Sequence, residues 1–341
     1  MLNASPDALT DHYDLAMLDL DGVVYIGGEA VPGAADHLAA VRAAGMRCAF
    51  ITNNAARTPD TVAAHLTDLG IEAAAADVVT SAQAAARVLR DRLGEGAHVA
   101  VLGGAGLLAA VTAEHLVPAG LDDEAEAVVS GYGPDVRWSD VMRAAVRIRD
   151  GLWWVASNTD ASIPTPFGVA PGHGVLVDTL RRFSAVEPVV AGKPARPLLD
   201  ETIRRVGGER PLMIGDRLDT DIEGARAAGI DSLLVLTGVS GLAEVVAARP
   251  EERPTYVGVD LGALRASHAA PQERDGSWHA GGWRGSTDGG RLEVSGEGSV
   301  DDWWRCVAAA AWSYLDTSGA VADVSALRVP TDGVRPVTSD A

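Results

Sequence analysis

Four short apolar runs in this chain each stop abruptly at a polar cluster, and that repetition constrains the fold more than any other feature. Leu15-Ala16-Met17-Leu18 runs into Asp19-Leu20-Asp21-Gly22-Val23, and Phe50-Ile51 runs into Thr52-Asn53-Asn54. Val189-Val190-Ala191 runs into Gly192-Lys193-Pro194, and Leu212-Met213-Ile214 runs into Gly215-Asp216-Arg217-Leu218-Asp219-Thr220-Asp221. The runs read as buried strands, and helical stretches lie between them. One helix is expected from about Gly33 to Ala44 and another from Pro59 to Leu69, with Thr58-Pro59 as a start and Gly45 and Gly70 as stops. Strands alternating with helices imply an α/β fold with a parallel, Rossmann-like sheet. In such sheets ligands gather at the carboxyl ends of strands, where all four polar clusters fall.

The first cluster carries the sharpest chemistry. Asp19 and Asp21 are two apart on a strand end, so their side chains point the same way. Gly22 lets the backbone turn close to a ligand. Two carboxylates this close are costly without a cation beside them. A hard divalent ion answers that cost and leaves one carboxylate as nucleophile and the other as acid/base. Alone, Asp-x-Asp-Gly suits a turn or helix start equally well; the three clusters that follow it in order favour the functional reading.

Together, Asp19-Leu20-Asp21-Gly22-Val23, Thr52-Asn53-Asn54, Gly192-Lys193-Pro194 and Gly215-Asp216 with Asp221 resemble the four motifs of the haloacid dehalogenase superfamily of phosphohydrolases. The likeness is to its p-nitrophenylphosphatase subgroup, which includes phosphoglycolate and glycerol-3-phosphate phosphatases and carries an inserted C2-type cap. It spans about residues 13–260 and departs at Ala55, where relatives often carry serine. The resemblance implies that Asp19 attacks phosphorus and that Asp21 protonates the leaving oxygen and later activates water. It further implies that Thr52, Asn53 and Asn54 hold phosphoryl oxygens and that Lys193 neutralises Asp19 and the phosphate. Magnesium would be bound by Asp19, the Asp21 backbone carbonyl and Asp216, with Asp221 either binding the ion or orienting its waters. Asp219 reads instead as a helix N-cap.

Composition sets limits on partners and compartment. Two cysteines, Cys48 and Cys306, give no disulfide framework, and the acidic N-terminus has no signal pattern, so a cytoplasmic protein is expected. No uncharged stretch reaches membrane-spanning length. A formal charge of −19 argues against nucleic acid. It also repels an anionic substrate, but at cellular salt the Debye length is about 8 Å, so magnesium, Lys193 and Arg217 would set the potential in a cleft.

The motifs divide the chain into a discontinuous core, residues 1–80 and 188–262, and an insertion, 81–187. The core resumes with strands near 189, 212, 233 and 256. The insertion is too long for a loop and is expected as an α/β cap, with strands at 98–102, 127–130 and 153–156. Within it, Ala156-Ser157-Asn158-Thr159-Asp160, Ile163-Pro164-Thr165-Pro166 and Pro171-Gly172-His173-Gly174 are dense in hydrogen-bonding groups. Similar segments recur in the family's caps, which places Asn158 and Asp160 near substrate; a self-bonded turn network is the alternative. His173 reads as a helix-start residue. Gly103-Gly104-Ala105-Gly106 lacks dinucleotide-binding spacing and reads as a tight strand-to-helix turn.

Residues 264–330 form a separate α+β module resembling part of an acetyltransferase fold. It has a hairpin at Thr287-Asp288-Gly289-Gly290, a helix over Asp301–Leu315 and an extended Val321–Val329. Five of the chain's eight tryptophans lie here and read as a small core or a subunit contact rather than a ligand site. Residues 331–341 read as a disordered tail. These observations point to a magnesium-dependent phosphatase acting through an aspartyl-phosphate on a small metabolite ester, glycerol 3-phosphate before 2-phosphoglycolate. It would have no nucleic-acid or membrane partner and could self-associate through the cap or the C-terminal module. The rivals are a phosphotransferase or mutase and a regulatory protein that binds a phosphorylated metabolite.

Overall fold

A computed structural model of the chain describes residues 1–165 and 168–330; Pro166 and the 331–341 tail lie outside the described residues. The fold is α/β with parallel, Rossmann-like sheets, and it divides into two compact units, Met1–Arg47 with Glu209–Ala341, and Cys48–Gly208. Among the described residues no helix is long and apolar enough to cross a membrane.

In the first unit the Leu15–Leu18 strand lies parallel to Pro211–Gly215, which pairs with Asp231–Val235 and then with Tyr256–Gly258. Leu15, Ala16, Met17 and Leu18 are wholly buried, as an uninterrupted apolar run must be when both sheet faces are covered. Helix Ala34–Ala43 falls where the sequence predicts it, entered through Gly33 at φ +78°.

The C-terminal residues of this unit form an antiparallel meander, Gln272–Arg274, Ser277–Ala280, Trp283–Asp288 and Arg291–Gly296, backed by helix Val300–Ser318. The expected hairpin turns on Gly289 and Gly290, both at positive φ, the geometry a two-residue turn between twisted strands needs. The tryptophans do build a core, but a shared one. Trp303, Trp304 and Trp312 pack in a single cluster with Leu218, Ile222, Leu234, Val245, Val246 and Val257 of the parallel-sheet region, with Trp278 and Trp283 against it. Residues 321–329 do not make the expected extended segment. Asp323 bridges to Arg291, then its carboxylate takes the Ser325 N–H at 2.9 Å and bends the chain.

In the second unit Arg47–Thr52 pairs in parallel with Val78–Thr80. Helix Pro59–Asp68 starts on Thr58 with proline in its first turn. Helix Ser81–Leu93 opens on a reciprocal cap: Thr80 Oγ1 accepts from Gln83 N, and Gln83 Oε1 accepts from Thr80 N at 2.9 Å. A five-stranded parallel sheet follows in the order Val189–Val190, Trp153–Ala156, Ala127–Ser130, His98–Leu102, Val117–Ala119. Its outer helices, Trp138–Arg149 and His173–Ser184, close a core around Trp154, whose indole N–H donates to Ser130 Oγ at 2.9 Å. Val189–Val190, expected to resume the first sheet's pattern, pairs instead with Val155–Ala156 as this sheet's two-residue edge. Gly103-Gly104 is the tight turn expected, with Gly104 capping helix Ala105–Ala113.

Candidate active site

The first unit gathers carboxylates at the carboxyl edge of its sheet. Asp19 continues the strand ladder, its N–H donating to Ile214 O at 2.9 Å, so its side chain emerges beside the end of Pro211–Gly215. That neighbouring strand delivers Asp216, fully buried, and a π-helical turn over Leu218–Ile222 delivers Asp221, 1% exposed. One oxygen from each of Asp19, Asp216 and Asp221 lies within 4.8 Å of the others. Asp21 is exposed and not in this group; Gly22 N donates to Tyr25 O at 2.8 Å and closes the turn that follows.

Glycines make room for these carboxylates. A Cβ on Gly22, at φ +85°, would stand 2.4 Å from Asp216 Oδ2, and one on Gly238 would stand 2.0 Å from it. Val239 N donates to Asp216 Oδ2 at 2.6 Å, and Thr237 Oγ1 donates to Gly22 O at 2.5 Å. Thr237-Gly238-Val239, beyond the Asp231–Val235 strand, thus supplies a hydroxyl, a close approach and a backbone N–H to this site. The rule that located the other clusters would have found it, since it too follows an apolar run.

Asp219 is not an N-cap. Its carboxylate grips the Arg217 guanidinium at 3.1 and 2.8 Å; Arg217 holds the N-cap position, and its N–H donates to Asp221 Oδ2 at 3.1 Å. Burial opposes the Arg217 charge, but the Asp219 hydrogen bond and the nearby Asp219, Asp221 and Asp216 charges hold its pKa above the ordinary value. Three converging carboxylates, two of them buried, form an all-oxygen donor set that fits magnesium, which prefers carboxylate and water ligands.

The second unit brings together the remaining predicted residues. Asn53 Nδ2 donates to Asp160 Oδ1 and to Lys193 O, both at 3.0 Å, and Asn53 Oδ1 accepts Lys193 N at 2.8 Å. The Asn53 carbonyl accepts Asn158 Nδ2 at 2.6 Å and Ser81 Oγ at 2.5 Å. Asn158 Oδ1 takes Asp160 N at 3.1 Å, the self-bonded turn weighed from the sequence, but the network reaches beyond the turn. Lys193 is 2% exposed. Thr52 Oγ1 accepts Asn54 N at 3.0 Å, and Asn54 Oδ1 accepts Ala56 N at 2.9 Å. His173 does start a helix, and its buried Nδ1–H donates to Asn158 O at 2.8 Å. Burial then pushes its pKa down to about 4.

A parallel sheet with clustered carboxylates at its carboxyl edge, and a buried lysine and amide network in the second unit, define a hydrolase of the metal-assisted α/β class. The haloacid dehalogenase-like hydrolase family model matches residues 16–117, and a related HAD-hydrolase-like model matches residues 190–264. The D-glycerol 3-phosphate phosphatase of Mycobacterium tuberculosis is 43% identical over 300 residues, covering 86% of this chain and 82% of that protein. A crystal structure of the glycerol phosphate phosphatase of M. tuberculosis in complex with magnesium superposes with a TM-score of 0.82 at 42% identity, covering 90% of this chain and 92% of that one. The acid sugar phosphatase of Staphylococcus saprophyticus is 34% identical, covering 73% of this chain and 96% of its own length. The chain belongs to the haloacid dehalogenase-like hydrolase family, and it is a phosphoric monoester hydrolase.

Proposed function

We propose that this enzyme is a magnesium-dependent phosphatase of small phosphorylated metabolites, with glycerol 3-phosphate its first substrate and 2-phosphoglycolate its second. The observation that carries the reading is the convergence of Asp19, Asp216 and Asp221 within 4.8 Å at the sheet's carboxyl edge. The choice of glycerol 3-phosphate is supported by the 43% identical M. tuberculosis phosphatase. Sugar phosphates are a further candidate class, after these two, favoured by the 34% identical acid sugar phosphatase.

Asp19, Asp216, Asp221 and the Asp21 carbonyl are the proposed magnesium ligands; bound there, the ion would offset the charge of the phosphoryl oxygens and the carboxylates. An Asp19 carboxylate oxygen forms a bond to phosphorus as the ester P–O bond breaks, leaving an aspartyl-phosphate. Asp21 gives its proton to the departing alkoxide. The resulting Asp21 carboxylate then takes a proton from a water, which attacks phosphorus and restores Asp19 with release of phosphate. The Thr52 hydroxyl and the Asn54 region are assigned to the phosphoryl oxygens, and the Lys193 ammonium to its developing charge.

The same reading keeps a core of 1–80 and 188–262, a cap of 81–187 and a module of 264–330. The parallel strands from His98 to Ala156 support an inserted α/β unit, and the Val189–Val190 edge of their sheet falls just beyond its 187 boundary. A cytoplasmic location is supported by Cys48 and Cys306, both buried and neither in a disulfide.

The test is phosphate release with magnesium across a panel of small phosphate esters, wild type beside Asp19→Asn. Metal-dependent turnover that vanishes in the variant is expected, with glycerol 3-phosphate highest in kcat/KM. No turnover of any ester by folded wild type would sink the hydrolase reading, and a sugar phosphate ranked first would replace the substrate.

A further inference from the structure

Helix Trp138–Arg149 is apolar on two sides, and the fold covers only one of them. Val141, Ala144, Ala145 and Ile148 pack into the core around Trp154. On a second side Trp138, Met142 and Val146 are 67%, 57% and 39% exposed. They stand four apart, so each lies one turn above the next along a single stripe. Single apolar side chains on a surface are ordinary, but a tryptophan in line with two more is a continuous patch held against water. The stripe widens at the C-terminal end of the helix. There the exposed Phe183 of helix His173–Ser184 lies 5.4 Å, ring centroid to guanidinium carbon, from Arg149.

The charges at the two ends of the stripe choose its occupant. Asp135, exposed, lies seven residues before Met142 in the turn that leads into the helix; Arg149, exposed, lies seven residues after it in the last turn. The order Asp135, Trp138, Met142, Val146, Arg149 is therefore symmetrical about Met142 in spacing and opposite in charge. A second copy laid antiparallel on the first, with a two-fold axis at Met142, sets Trp138 against Val146 of the other copy. The same axis sets Asp135 against the other copy's Arg149 at both ends. Parallel pairing would set aspartate on aspartate and arginine on arginine. Residues 135–150 carry four arginines and three aspartates, so the surfaces that meet do not share the strong negative charge of the whole chain.

We propose that Trp138, Met142 and Val146 form the centre of a two-fold interface between two copies of this chain, with Asp135 and Arg149 closing its ends. Trp138 is the anchor, since a large aromatic at the centre of a patch carries most of the energy of an interface. Met142 meets itself on the axis, where a flexible thioether adapts to its twin. Three apolar side chains from each copy, with Phe183 at the edge, cover less than the about 800 Å² per partner of a standard interface, so the dimer is weak and forms with rising concentration.

Sedimentation velocity of the full chain, from micromolar to several hundred micromolar, tests this. The wild type should move from monomer towards dimer, and Met142→Glu, which places two carboxylates on the axis, should stay monomeric throughout. Met142 is exposed, so a wild-type Tm is expected for that variant; Trp138→Ser serves as a second variant if it folds poorly. Asp135→Arg and Arg149→Glu should each weaken dimerisation roughly tenfold or more, because each sets like charges together at both ends. An equimolar mixture of those two variants should dimerise as well as wild type, since each heterodimer regains both opposite-charge pairs.

A wild type that stays monomeric at every concentration would overturn the proposal and leave the stripe to a different protein. A dimer indifferent to Met142→Glu and Trp138→Ser would place the interface elsewhere, and a mixture no better than its separate components would overturn the antiparallel pairing. None of these readouts uses turnover, so their failure is separate from failure of the phosphatase reading.

Discussion

Gly215 and Asp221 compete for one volume: the Asp221 side chain folds back over the end of its own strand, where a Cβ on Gly215 would stand 2.2 Å from Asp221 Cβ and 2.3 Å from Oδ2. The π-helical turn between them creates this fold-back, and Arg217 N holds it by donating to Asp221 Oδ2 at 3.1 Å. Gly215→Ala therefore has to displace Asp221. The overpacking costs about 1–3 kcal/mol of stability, and loss of an oriented carboxylate should weaken magnesium affinity by roughly tenfold or more. Calorimetric titration of magnesium into the variant checks this; wild-type affinity would show that Asp221 takes no part in holding the ion.

Asp216→Asn should move stability in opposite directions with and without metal. Asp216 is wholly buried beside Asp19 and Asp221, so removing its charge relieves repulsion in the metal-free protein and raises its Tm. In wild type, magnesium at a hundred times its Kd adds about 2.7 kcal/mol, which is a rise of a few degrees. The variant should lose most of that rise. Thermal unfolding with EDTA and with magnesium decides it, and an undiminished magnesium shift would place the ion elsewhere.

The positions of Asp19 and Asp216 were legible because each follows a short, unbroken apolar run that stops at turn-forming residues, the pattern of a strand covered on both faces. What those residues do next was less legible. The fold-back of Asp221 depends on the π-turn, which no local pattern announces, and that turn puts Arg217 rather than Asp219 at the N-cap position. Asn53 and Lys193 are far apart in sequence, so their amide pairing is set by tertiary approach across Gly192 and left no local signal. Val189-Val190 read correctly as a strand, but two residues carry no information about their partner. The tryptophan-rich helix read correctly as a core element, while its partners, Val245, Val246 and Leu234, lie in segments whose own pattern was satisfied by the parallel sheet.

His173 should make the protein acid-sensitive well above the range of its carboxylates. Its Nδ1–H donates to Asn158 O, leaving Nε2 buried, and burial lowers the pKa to about 4 from an ordinary 6.5. The folded state thus resists a proton that the unfolded state accepts. The stabilisation is complete above pH 6.5 and is lost as pH falls towards 4. The full effect is ~3 kcal/mol, of which about 2 kcal/mol is gone by pH 5. His173→Asn should show a smaller fall in urea midpoint between pH 7.5 and pH 5 than wild type. Equal falls in both would mean that His173 titrates normally.

The C-terminal helix should be indispensable to the unit that carries Asp19 and Asp216. Arg253 forks onto Asp316 at 2.7 Å through both terminal nitrogens and lies 5.3 Å from the Trp312 ring centroid. The Trp312 indole donates to Val245 O at 2.7 Å, and the ring is fully buried in the cluster that also holds Leu218 and Ile222 of the Asp221 turn. Trp312→Ala should therefore cost ~3–5 kcal/mol, read as a lower urea midpoint. Because the cluster runs from the helix to the turn bearing Asp221, the same change should raise the magnesium concentration needed for half-maximal activity. A chain ending at residue 262 would expose Leu234, Val245, Val246 and Val257 to water and should aggregate rather than turn over substrate. A soluble, fully active product of that length would show instead that the catalytic unit closes its core without the helix.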